Sequence, residues 1–187
     1  MKTFASICCL VVALSGVACA SPQDDQIRIE ELKADAYAKH PSNPVEGAKA
    51  ANDAIESEVP KVSAQLSPRD AAIYVFIGYY TKNVFAIPEV CASQAVPLPS
   101  YSLRFSELHA SLIQIAAQSV DTSSLIVRAK PNAIKNATQE LERLAASRGT
   151  DLPGICKWIS ANSDELAKGA QFEIIMPRLY KDITQSP

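Results

Sequence analysis

Ser67-Pro68-Arg69-Asp70-Ala71-Ala72-Ile73-Tyr74-Val75-Phe76-Ile77-Gly78-Tyr79-Tyr80-Thr81 joins the strongest helix-start signal in the chain to an almost unbroken apolar run. A serine can accept from the free amides of a first turn. A proline at the next position has no amide to leave unpaired, and an acid two residues later favours the positive end of a helix. The run that follows is apolar nearly all round, which reads as the buried central helix of the fold. It is too short to span a bilayer, and Lys82-Asn83 is read as its end. Its β-branched and aromatic residues would also suit a buried strand. The cap, and the continuing apolar positions Val84, Phe85 and Ile87, decide for helix.

Upstream, acids at Asp24 and Asp25 followed by Ile29, Leu32 and Ala36 predict a helix that His40-Pro41 stops. Asn43-Pro44-Val45-Glu46 restarts the chain with an N-cap, a proline at N1 and a capping-box acid. That second helix is expected to reach about Glu58 and halt before Pro60. Downstream, Pro88, Pro97 and Pro99 bracket an expected connection carrying Cys91. Helix resumes at Ser100 or Ser102 with Phe105, Leu108, Leu112, Ile115 and Ser119 on one face, and Asp121 to Ser124 reads as a break that Leu125-Ile126-Val127 could bridge. Pro131 is expected to open a helix striped by Ile134, Ala137, Leu141 and Leu144, with Gly149 as its terminator. Asp151 caps a short helix carrying Cys156 and Trp158. Ser163-Asp164-Glu165 opens a last one through Leu166, Phe172, Leu179 and Ile183, which Pro177 must kink or split. The prediction is one all-α, bundle-like domain of five to seven helices over 21–187. The alternative is an α+β fold with a short buried strand near 73–80 or 172–176.

Composition agrees. Among 187 residues there are 28 alanines and only 6 glycines, a balance that favours helices because alanine costs least to fix in one. With 48% hydrophobic residues, 20% charged and a net charge of −2, the chain is neither a disordered polymer nor a basic nucleic-acid binder.

Residues 1–20 read as a secretory signal: Lys2 supplies a positive start, and an uncharged apolar or small stretch follows to Ala20. Ala18-Cys19-Ala20 fits a cleavage site that leaves Ser21 as the mature start. Gly16-Val17-Ala18-Cys19 resembles a bacterial lipobox, departing from it at Gly16 where leucine is usual. That resemblance implies Cys19 as a lipidation site, and with it the chain's only expected membrane attachment. The expected location is the periplasm or envelope of a Gram-negative bacterium, with extracellular secretion as the alternative.

Cysteines 8, 9 and 19 fall in the signal, leaving Cys91 and Cys156. An even pair in an exported chain predicts one structural disulfide. A redox role is disfavoured by the absence of a C-x-x-C pair.

Chemistry motifs are scarce. Two histidines, His40 and His109, form no zinc-type or haem-attachment pattern, so neither metal nor cofactor is expected. There is no glycine-rich phosphate loop and no G-x-S-x-G elbow. Asp70, Glu107 and His109 are the only weak candidates for a dispersed catalytic site. Tyr74, Tyr79 and Tyr80 could line a small-molecule or lipid pocket in the bundle, although a core role for such residues is commoner. Asn136-Ala137-Thr138 is a glycosylation sequon that matters only in a eukaryotic source. The leading expectation is an exported helical protein that binds another protein, such as an inhibitor, immunity or assembly factor, with no nucleic-acid partner. Second stands the ligand-binding bundle, and third the enzyme.

Overall fold

Ser67 caps its helix as its neighbours dictate: its Oγ accepts the Asp70 amide at 3.0 Å and donates to Asp70 Oδ2 at 2.7 Å. In the computed structural model, residues 32, 35–36, 38–40, 44–62 and 66–185 are described. The expected signal over 1–20, with both of its exits, lies outside them. Of the helix expected before His40, the described residues Leu32, Asp35, Ala36, Ala38 and Lys39 are helical, and His40 is not.

Helix α1 (Pro44–Val62) starts at the proline expected to open it but runs two residues beyond Pro60. A proline in a last turn forfeits one hydrogen bond, and little helix is left to disturb. The central helix α2 (Pro68–Thr81) does not stop at Lys82-Asn83 as the sequence suggested. It widens into a π-helical turn (Lys82–Ala86) and continues as α3 (Ile87–Ser93). The widened turn shifts the backbone pairing by one residue, so that the Ile87 amide bonds Lys82 five residues back. Thr81 Oγ1 and Asn83 Nδ2 add bonds to the carbonyls of Ile77 and Tyr79 at 2.7 and 2.9 Å. Pro88 follows directly and supplies no amide, so the pairing interrupted at the widened turn resumes after it. Cys91 therefore sits on a helix, where the sequence had suggested a loop.

The helix expected over 100–119 is two, α4 (Pro99–Leu108) and α5 (Ala110–Ser119), parted at His109. Conversely, α6 (Thr122–Ser147) passes straight through Pro131, which had been read as a start. Asp121 caps α6 by accepting the Ser124 amide at 3.1 Å. Burial of Ala137, Leu141 and Ala145 on its inner stripe offsets the bond lost at Pro131. Gly149 ends the helix at φ +64°, a region open to glycine at little cost.

Asp151 accepts the Gly154 amide at 2.8 Å and caps α7 (Leu152–Ala161). The last expected helix is divided into α8 (Ser163–Gly169), α9 (Phe172–Ile175) and α10 (Pro177–Gln185). The break before Pro177 is the split that the proline demanded. The segmentation is thus finer than five to seven helices, but the class is all-α, with no strand among the described residues. The two stretches set aside as alternative strands are helical except at Met176.

The interior has two lobes. In the first, Ile73, Phe76 and Ile77 of α2 meet Leu112 of α5, Phe172 of α9 and Leu179 of α10. In the second, Cys91, Tyr101, Phe105, Leu141 and Ile155 pack together. Tyr79 and Tyr80 touch both lobes. Cys91 and Cys156 are joined by a disulfide, both fully buried, which ties α3 to α7 across 5.4 Å between Cα atoms.

Candidate functional site

The buried polar side chains among the described residues are Thr81, Asn83, His109 and Ser163, and two of these places carry polar contacts between distant elements. The first is the π-helical turn. Tyr101 of α4 donates its hydroxyl to Asn83 Oδ1 at 2.7 Å, and Tyr79 donates to the Ala170 carbonyl at 2.6 Å. Lys82 pairs with Glu140 of α6 at 3.0 Å, both half-buried, and its ammonium lies 5.9 Å from the centre of the Tyr79 ring. Burial pushes the phenols of Tyr79 and Tyr101 well above the ordinary tyrosine value, and the charges of Tyr101 and Glu140 push Tyr79 further. Phenols held this way stay protonated hydrogen-bond donors at any physiological pH and supply no phenolate to act as a base.

The second place is His109, at the break between α4 and α5. Its ring is buried, stacked on Phe105 at 4.1 Å, and within 6.1 Å of Phe76. Nδ1 lies 2.8 Å from the Phe105 carbonyl, and Nε2 lies 3.0 Å from the Phe172 backbone amide. A carbonyl only accepts and an amide only donates, so the ring is the neutral tautomer with its proton on Nδ1. Burial holds its pKa below the ordinary imidazole value, against the upward pull of the Phe105 carbonyl and of Glu173. With both nitrogens bonded to backbone, the ring has no free atom for a substrate proton.

The other two catalytic candidates have different partners. Asp70 belongs to the α2 cap, and exposed Glu107 pairs with Arg104 at 3.1 Å, which also reaches Asp164 at 2.9 Å. The tyrosines suggested as a pocket separate as well. Tyr74 is 44% exposed on the outside of α2, whereas the Tyr79 and Tyr80 rings lie against Phe105 in the interior. Tyr80 reaches the Ser106 hydroxyl at 3.3 Å.

Sequence reasoning missed Asn83, Tyr101 and Glu56. Asn83 was legible in principle: an amide inside an apolar run must find partners if the run is buried. Glu56 offered no signal, because its partners, the amides of Arg178 and Leu179 at 3.1 and 3.4 Å, lie at the far end of the chain.

Among the described residues no group of three or more His, Cys, Asp or Glu side chains converges as a metal site, and no helix is long and apolar enough to cross a membrane. Fold and geometry define a class: an all-α protein clamped by a buried disulfide. Compared with known family models, curated proteins and solved structures, the chain matches none.

Proposed function

We propose that this chain is an exported protein of the bacterial envelope that acts by binding another protein and performs no catalytic step of its own. The observation that carries the reading is the use made of its most reactive groups. His109 spends both ring nitrogens on backbone, and Cys91 and Cys156 spend their sulfurs on each other. A disulfide of this kind is typical of chains that fold outside the reducing cytosol. What remains for function is the exterior. There, apolar side chains such as Val127 (72% exposed) and Leu103 (63% exposed) offer anchors of the sort that interfaces use. Cleavage at Ala20 leaves the protein free, and acylation at Cys19 would hold it on a membrane.

The test is cross-linking of the oxidised protein in envelope extract, alongside Val127→Glu and Leu103→Glu variants. A partner captured by the parent and weakened about tenfold in one variant supports the proposal. Failure to capture any protein contradicts it. So does hydrolysis of a substrate panel that disappears in His109→Ala.

A further inference from the structure

The C-terminal segment from Phe172 to Gln185 is laid over the first core lobe, and a histidine fastens its leading end. Phe172, Met176, Leu179 and Ile183 cover Ile73, Phe76 and Ile77 of α2 and Leu112 of α5. Two polar contacts from distant parts of the chain fix this cover in place. Glu56 of α1 accepts the first amides of α10, and His109 Nε2 accepts the amide of Phe172 across 63 residues of sequence. We propose that His109 is an acid-sensitive latch, and that its protonation releases the Phe172–Gln185 segment and uncovers the apolar face of α2.

The geometry supplies the reason. Nδ1 already carries a proton directed at the Phe105 carbonyl, so the next proton must go on Nε2. A protonated Nε2 then faces the Phe172 amide donor to donor at 3.0 Å, and the latch contact becomes a repulsion. The new charge would also sit on a buried ring against Phe76, Phe105 and the Phe172 backbone. The ionisable groups facing the ring are Tyr79 from α2, which stays neutral, and Glu173 from α9, which partly offsets the charge. Glu107 and Arg104 of α4 are occupied with each other. With the closed segment favouring the neutral ring, nothing is lost above the ordinary imidazole range. As pH falls through that range the opened state takes the proton first, and the closed state loses ground until pH passes below its own lower value.

Amide hydrogen exchange between pH 7.5 and 4.5, corrected for intrinsic rates, reads this directly. Protection over Phe172–Ile183 is expected to fall by up to about tenfold per pH unit within that window, while α3 and α7 beside the disulfide keep theirs. His109→Gln, neutral at every pH, should flatten the dependence. If that variant does not fold, long-range ¹H–¹⁵N spectra of the parent ring serve instead: Nε2 should gain its proton over the same range in which protection falls. Ring protonation with the segment still protected overturns the proposal, as does an equal loss of protection throughout the molecule.

Discussion

The Tyr101 hydroxyl and the Asn83 side-chain carbonyl meet at 2.7 Å inside the second core lobe, one from α4 and one from the π-helical turn. The other end of the same amide bonds the Tyr79 carbonyl, so one asparagine side chain closes the widened turn and pins α4 to it. Tyr101→Phe removes the donor but leaves a buried acceptor unpaired, and is expected to lower stability by about 1–3 kcal/mol. Denaturant unfolding of the variant and the parent measures the difference. A change within error would mean that the contact is dispensable.

The disulfide spans 65 residues of sequence. Closing a loop of that length restricts the unfolded chain enough to stabilise the fold by up to about 4 kcal/mol on chain-entropy grounds. A Cys91→Ala/Cys156→Ala variant should therefore unfold at much lower denaturant. Because both sulfurs are buried, reductant should act on the native parent only as it unfolds. Rapid reduction with the fold intact would contradict that packing.

Glu56 caps a helix more than a hundred residues away. Removing its carboxylate in Glu56→Ala leaves the first amides of α10 unpaired and forfeits a favourable charge at the helix N-terminus, at a cost of about 1 kcal/mol. Faster exchange at the amides of Arg178 and Leu179 is the expected signature. Glu56→Gln, which keeps an acceptor without the charge, should fall between the two.

Tyr79 and Tyr101 hold their protons more tightly folded than unfolded. Their contribution to stability is complete below the ordinary phenol value of about 10 and is lost as pH rises through it. In an alkaline absorbance titration these two of the six tyrosines should ionise only as the protein unfolds. Reversible ionisation of all six near the ordinary value in the folded state would contradict their burial.

How far the sequence could be read depended on the range of the forces involved. Caps act within one turn, so the Ser67 and Asp151 starts and the Gly149 stop were legible locally, whereas Asp121 to Ser124, read as a break, is the cap and first turn of α6. The cysteine pair was legible because only two cysteines remain after the expected signal. Pro60 misled because a proline in a last turn forfeits little, and Pro131 because the burial of its helix's inner stripe outweighs one forfeited hydrogen bond. The π-helical turn and the His109 break had no local signature, because each is stabilised by partners from other elements: Tyr101 for the first, Phe172 for the second. His109 could be noticed among the candidates, but its role depends on a backbone amide that no spacing rule reaches.

The central claim, that the chain leaves the cytosol and is then clamped through Cys91 and Cys156, is tested most directly by intact mass of the native protein from fractionated cells. The envelope fraction should yield a chain beginning at Ser21 or at acylated Cys19, about 2 Da lighter before reduction than after it. A cytosolic chain that still carries Met1 to Ala20, with both thiols free, would contradict the account.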